Sequence, residues 1–495
     1  MEIQNITKLQ NGSDIRGVAM EGVEGEHITL TQDMAMKIAY AFSKWLKVKT
    51  GKDSLSVAVG RDSRLTGPNL AQAVCLGLVS DGGHVYDCGI ATTPAMFMTT
   101  LDPEMDCDGA VMITASHLPF NRNGIKLFTK DGGLNKEDIA EILEQAETIV
   151  TEFKIGGKRE DCAFIPRYAA NIVRMIREAT GEETPLQGAH IIVDAGNGAG
   201  GFFAEGVLAP LGADTRGSQF LDPDGHFPNH IPNPEDQDAI DAIRRAVIDN
   251  QADMGIIFDT DVDRSAVIDE KGDAINRNGF IAFIASMLLE KYPGTTIVTD
   301  SVTSTGLTEY IESLGGHHHR FKRGYKNVIN EAVRLNEHGV ETHLAMETSG
   351  HGAIRENYFL DDGAYLVTMA LIKFAQLHKA GKPLSVFLKD LKEPAEAKEY
   401  RFKIGAEDFK AYGQEVLDGF RKFAEEQPGW SIVEPNFEGI RVNCEKDAGN
   451  GWCLMRMSLH DPIIPLNIES DEAGGCEKIK AAIDVFLKDY PELEG

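Results

Sequence analysis

SVAVGRDSR, from Ser56 to Arg64, runs apolar and then turns on an aspartate among small side chains. HIIVDAGNG from His190 and TTIVTDSVTSTG from Thr295 have the same shape. Short apolar runs that alternate with longer helical patterns mark strands buried in a parallel α/β architecture. Each run places its aspartate, Asp62, Asp194 or Asp300, at a strand's carboxyl end, the edge at which open α/β sheets bind ligands. The recurrence predicts three related α/β subdomains whose functional edges face one way.

At 495 residues the chain is too long for a single core. In KEDIAEILEQAETIV, residues Ile139, Ile142, Leu143, Ala146, Ile149 and Val150 recur at helical spacing behind an acidic first turn. Beyond HKAGKPLSVFLKDLKEPAEAKEYRFKI the texture changes: Pro394 and its charged neighbours read as a linker. A helix, the stretches EGIRVNCE and GWCLMRMSLHDPIIPLNIES, and a last helix CEKIKAAIDVFLKDY then give a smaller α+β domain. The expected division is 1–157, 158–272, 273–392 and 393–495.

Hydrophobic residues at 42% and charged residues at 25% are the composition of a soluble globular protein. A net charge of −28 repels nucleic acid and anionic membranes, so neither is expected as a partner. An anionic ligand must instead be held by cations gathered locally. Seven scattered cysteines, with no C-x-x-C pair, read as reduced thiols. Without a signal core or a long apolar run, the expected location is cytoplasmic. The composition fits a monomer or a homodimer. HHHR at His317–Arg320 reads as a surface loop or strand end, because three adjacent histidines cannot face one metal from a regular element.

VMITASHLPFNRNGIKLF, Val111 to Phe128, sets Ser116 beside His117, and an Asn-Gly turn at Asn123 and Gly124 is expected to return the chain to Lys126. No G-x-S-x-G elbow surrounds the serine, so a hydrolase triad does not explain it. In MGIIFDTDVDRSAVID, residues Asp259, Asp261 and Asp263 fall at i, i+2 and i+4, which on an extended chain turns three carboxylates to one side. Like charges so close need a cation, and hard oxygen ligands suit Mg²⁺, which completes its shell with phosphate or water oxygens. A phosphorylated Ser116 supplies that phosphate oxygen as a fourth metal contact. The serine is then a phosphoryl carrier, with Lys126 acting on the proton of the attacking hydroxyl.

SDIRG at Ser13, VGRDSRLTGP at Val59, TASHLPFNRNGIK at Thr114, VDAGNGAGG at Val193, DGHFPNHIPNPED at Asp224, FDTDVDR at Phe258 and ETSGH at Glu347 occur in one order. In that order and spacing the chain resembles the α-D-phosphohexomutases, the phosphoglucomutase and phosphomannomutase group, over nearly its whole length. The resemblance implies a heart-shaped four-domain enzyme: three related α/β domains with mixed sheets plus the C-terminal α+β domain. It implies Ser116 as phosphoserine, with His117 and Lys126 as acid/base neighbours. Asp259, Asp261 and Asp263 would hold Mg²⁺, and Arg264 and Arg16 would position phosphates. Glu347, Ser349 and His351 match the sugar-recognition loop. Asn197, Gly198 and Gly200 read as a strand-to-helix turn, and Asp361 and Asp362 as supporting or capping residues.

The chain departs from the family where RPSGTEP is usual, having RMSLHDP from Arg456 to Pro462. Arg456 and Ser458 remain as phosphate contacts, with His460 as a further donor, but the glycine that eases left-handed backbone is gone. Leu118, Tyr325 and Val302 replace the usual asparagine, histidine and lysine, with Tyr325 kept as a substrate contact. The implied reaction moves phosphate between O1 and O6 of a hexose phosphate, with a hexose 1,6-bisphosphate as intermediate and activator. Glucose, mannose and glucosamine phosphates all fit as substrates. A magnesium-dependent phosphatase with Asp259 as nucleophile and a non-catalytic sugar-phosphate sensor are the other readings.

Overall fold

All three repeated stretches fold as strands, Ser56–Arg61, Ile191–Asp194 and Thr296–Thr299. Asp62, Asp194 and Asp300 stand fully buried at their carboxyl ends. They belong to a computed structural model described over residues 5–150, 152–458 and 461–495. The chain forms two compact units, Met1–Ile284 with Ser349–Phe387, and Ala285–Thr348 with Leu388–Gly495.

The first unit holds two mixed sheets. In one, Gly109–Ile113, Ser56–Arg61, His84–Ile90 and Lys158–Asp161 run parallel, while Arg122–Thr129 and Asp14–Val18 add antiparallel strands at one side. Helices Gln32–Thr50, Gly67–Ser80 and Lys136–Thr148 pack a single core against it. The last of these ends before Ile149, and Val150 is 98% exposed, because the chain turns extended once the apolar stripe is spent. In the other sheet Ile191–Asp194 and Met254–Phe258 are parallel, and Ser265–Asp269 folds back antiparallel on the latter. Helix Gln237–Asn250 covers it with Ala239, Ile240, Ile243 and Val247.

The second unit has three parallel strands in the order His317–Arg320, Thr296–Thr299, Thr342–Met346. Its other sheet is antiparallel throughout, with helices Phe409–Glu426 and Gly475–Leu487 closing its core. The histidine run is thus a short strand: His318 bonds Thr299 and Thr308 on one side, and His319 bonds Glu331 on the other. Among the described residues no helix is long and apolar enough to cross a membrane.

Two of the strand-end aspartates, Asp62 and Asp194, serve their own turns, whereas Asp300 accepts from Thr348 Oγ1 at 2.8 Å. Asp194 accepts from Gly196 N at 2.9 Å and from Gln219 Nε2 at 2.7 Å. Asp62 accepts from Arg64 N at 2.9 Å, and burial, opposed by the Arg64 charge, lifts its carboxyl to about 6. Arg64 is wholly buried, and its guanidinium donates to the carbonyls of Ser116, Leu118, Pro119 and Arg122 at 2.5 to 2.9 Å. That one group ties down the loop from Ser116 to Arg122.

The expected Asn-Gly turn is not formed. Asn123 and Gly124 lie inside the strand Arg122–Thr129, paired with Gly17 and Arg16, and the reversal falls earlier, at Ser116–Asn121. Gly124 is there for close approach: a Cβ would stand 2.3 Å from Ile15 O and 2.8 Å from Thr114 O. Sheet pairing has overridden turn propensity. Gly124→Ala is therefore expected to cost about 1–3 kcal/mol or more through overpacking, read as a lower denaturant midpoint. Arg64→Met, which strands four carbonyls and Asp62, is expected to lose about 3–5 kcal/mol in the same titration. An unchanged midpoint would refute either account.

Candidate active site

Ser116 leaves the buried strand Gly109–Ile113 with φ at +50°, a left-handed backbone rarely taken by a residue with a side chain. Its N–H donates to Thr114 Oγ1 at 2.8 Å. Its hydroxyl donates to Asp259 Oδ2 at 3.0 Å and accepts from Arg264 Nη2 at 2.9 Å. His117 Nδ1 lies 3.4 Å from the same oxygen and 2.6 Å from Arg264 Nη2. Packing around the ring, then the charges of Arg264, His351 and Arg16, push His117 down to about 3.

Asp259, Asp261 and Asp263 sit in the loop of a hairpin between Met254–Phe258 and Ser265–Asp269, not on an extended chain. Val262 takes φ +66° and turns the backbone so that the carboxylates converge without strand alternation. One oxygen from each lies within 4.8 Å of the others, and all three residues are at most 1% exposed. Asp259 uses both oxygens: Oδ1 accepts from Arg264 N, and Oδ2 accepts from Ser116 and Arg264. Burial and the two neighbouring carboxylates push it well above the usual range. Asp263 is held below it: burial opposes, but Lys126, His351 and Arg264 outweigh that.

Lys126 Nζ donates to Asp261 Oδ2 at 3.1 Å and to Asp263 Oδ2 at 2.5 Å. The other oxygens, Asp261 Oδ1 and Asp263 Oδ1, are buried without a hydrogen-bond partner. Asp263 Oδ1 has only the charges of Arg264 and His351 at 3.8 and 3.9 Å; buried carboxylate oxygens are rarely left without hydrogen bonds, and two such hard donors suit a small divalent cation. The trio can hold a metal ion. A second acidic group, Asp263, His351 and Asp361, is less suited to one. There His351 Nδ1 is taken by Asp361 at 2.5 Å, and those carboxylates, against burial, raise the ring to about 9.

Ser116, His117, Lys126, the aspartate trio, Arg264 and His351 thus come together in the first unit. Arg16 donates to Asp14 at 2.8 Å and to the carbonyl of Thr114 at 3.0 Å, two residues before the serine. Ser349 also belongs to this unit, its hydroxyl buried without a hydrogen-bond partner. Glu347 and Tyr325 belong to the second unit, where Glu347 accepts from Gly324 N at 2.6 Å, one residue before the tyrosine. Arg456 lies 3.9 Å from Glu438 there, and Ser458 Oγ accepts from Asp461 N at 3.3 Å. His460 falls outside the described residues. Asn197, at φ +59°, and Gly198 form the strand-to-helix turn expected of them.

Two residues of this neighbourhood were not legible as such. Arg64 and Thr93 act on partners more than fifty positions away. Asp361 is a partner of His351, whereas Asp362 caps the helix Gly363–Lys379 through Tyr365 N at 2.9 Å.

Comparison with known proteins gives the geometry a family. Residues 7–152, 166–272 and 276–394 match the descriptions "Phosphoglucomutase/phosphomannomutase, alpha/beta/alpha domain" I, II and III respectively. A phosphoglucomutase/phosphomannomutase of Thermococcus kodakarensis is 31% identical, over 97% of this chain and 98% of its own. A phosphomannomutase/phosphoglucomutase of Pseudomonas putida is 29% identical, over 91% and 92%. A crystal structure of a phosphoglucomutase/phosphomannomutase family protein from Burkholderia thailandensis superposes with a TM-score of 0.79 at 26% identity, covering 98% of this chain and 97% of that one. The chain belongs to the phosphoglucomutase/phosphomannomutase family and is, by that membership, a phosphomutase.

Proposed function

We propose that this chain moves a phosphoryl group between O1 and O6 of a hexose phosphate, with Ser116 as the carrier. The observation that carries the reading is the hydroxyl of Ser116 at 3.0 Å from Asp259, inside a buried carboxylate trio with two bare oxygens. Ser116, Asp259, Asp261 and Asp263 would hold Mg²⁺, which when bound draws negative charge off the phosphate oxygens.

The phosphorylated serine gives its PO₃ unit to a sugar hydroxyl, so the bond from phosphorus to the serine oxygen breaks as the bond to the sugar oxygen forms. The sugar hydroxyl loses its proton and the freed serine oxygen gains one. Lys126, an ammonium gripped by Asp261 and Asp263, would act on the proton of the attacking hydroxyl, with the neutral His117 ring as its neighbour at the serine oxygen. Arg264 already donates to the serine hydroxyl, and its charge lies where negative charge gathers in transfer. The resulting hexose 1,6-bisphosphate turns over and returns its other phosphate to the serine. The same bisphosphate would prime an unphosphorylated chain.

Glu347 and Ser349 would hold sugar hydroxyls, and Tyr325 and His351 would be further substrate contacts. Arg456, Arg16 and Ser458 would contact phosphate, with His460 as a further donor. Glucose and mannose phosphates are the first substrates to test, given relatives named phosphomannomutase/phosphoglucomutase, and glucosamine phosphate is next, given a phosphoglucosamine mutase at 29% identity. A phosphatase with Asp259 as nucleophile fits less well, because both oxygens of that carboxylate are engaged. The division 1–157, 158–272, 273–392 and 393–495 remains our proposed set of domains.

Ser116→Ala is expected to lower interconversion of glucose 1-phosphate and glucose 6-phosphate by at least about 10³-fold, as loss of a covalent nucleophile does. It should also abolish phosphate labelling of the protein, and retained turnover would end the carrier reading. Mg²⁺ at about 100 times its dissociation constant is expected to stabilise the wild type by about 2.7 kcal/mol, read as a raised melting midpoint that chelator reverses. Asp261→Ala should lose most of that response.

A further inference from the structure

Asp261 must keep one oxygen bare while the other stays engaged. A carboxylate turns easily about its last torsion, which is broad and two-fold. Lys126 alone leaves that plane undetermined, because an ammonium on a flexible stem follows whichever oxygen is presented.

A second group does define it. Thr93 opens the helix Thr93–Met98 and is 4% exposed. Its hydroxyl donates to Asp261 Oδ2, the oxygen also held by Lys126, and its N–H donates to the carbonyl of Asp261 at 2.9 Å. Backbone and side chain of one residue are thus gripped together by one threonine. Helix capping does not require that hydroxyl, since Thr92 caps the helix by accepting from Ala95 N at 3.1 Å.

We propose that Thr93 is a positioning residue for the metal site: its hydroxyl fixes the Asp261 carboxylate so that Oδ1 faces the cation shared with Asp259 and Asp263. This rests on the trio binding a divalent ion. Removing the hydroxyl while keeping the shape frees the carboxylate to swing Oδ1 toward Lys126, which takes a ligand atom from the metal without deleting any ligand.

The test is Mn²⁺ binding to the full chain, followed by the paramagnetic resonance signal of the free ion, in the wild type, Thr93→Val, Thr93→Ser and Asp261→Asn. Thr93→Val is expected to weaken Mn²⁺ binding by about 10–100-fold, the usual effect of losing a group that orients a ligand. Thr93→Ser should restore it, and in chelator Thr93→Val should still unfold in one cooperative transition, its midpoint lowered only by the one lost hydrogen bond. Wild-type affinity in Thr93→Val, with Asp261→Asn defective, would overturn the positioning role and leave the metal site standing. Failure of serine to rescue would overturn it too, by assigning the effect to the methyl group. Undiminished binding in Asp261→Asn would sink both this inference and the metal reading beneath it.

Discussion

Three carboxylates gathered where water scarcely reaches repel one another, and their surroundings are arranged to answer that repulsion. Lys126 and Arg264 bring two positive charges against three negative ones. The remainder is not spread evenly. Asp263, against burial, is held below the usual carboxylate range by the lysine, while burial and its neighbours push Asp259 above it. A divalent cation entering such a group relieves like-charge repulsion and satisfies two orphaned oxygens in one event. The excess of positive charge it leaves is what a phosphoserine dianion needs. Cation and phosphoserine dianion thus enter together without changing the net charge of the site.

Such a site requires rigid borders, and its two strained residues show where they lie. Ser116 and Val262 both take left-handed backbone, and each sits in a loop leaving a strand that is buried along its full length. Strain of this kind persists only where surroundings over-determine it. For Ser116 the determinant is Arg64, whose guanidinium takes four loop carbonyls from within the protein. For the aspartate loop it is the hairpin register from Phe258 to Ser265, together with Thr93 on Asp261.

Much of this was legible in the chain because it is local. An apolar run that ends on an aspartate states a buried strand and its functional edge within nine letters, and all three such runs are strands. The serine stretch and the acidic triplet each show their chemistry in a few consecutive residues. What escaped reading was long-range or conformational. Nothing near Thr93 announces a partner at Asp261, and nothing near Arg64 announces the carbonyls of a loop beyond Ser116. Asn123 and Gly124 read as a turn because propensity is local, yet the glycine answers to Ile15 and Thr114 pressing on it from neighbouring backbone. The aspartates read as facing one side of an extended chain, whereas a left-handed valine gathers them.

The three related domains put the same local device to different ends. Asp62 and Asp194 stand where catalytic groups are commonly found, yet each bonds its own turn, with Arg64 and His230 as side-chain partners. The groups that would meet phosphate lie one loop further along the same edges, on the hairpin from Asp259 and on the crossing from Ser116. A buried strand-end carboxylate can fix the loops beside it, and a loop so fixed can carry strain and charge that an unsupported one would shed. The repeated aspartate is thus a foundation for the site without being part of it, which is why repetition in the sequence points to the edge but not to the residues that do the chemistry.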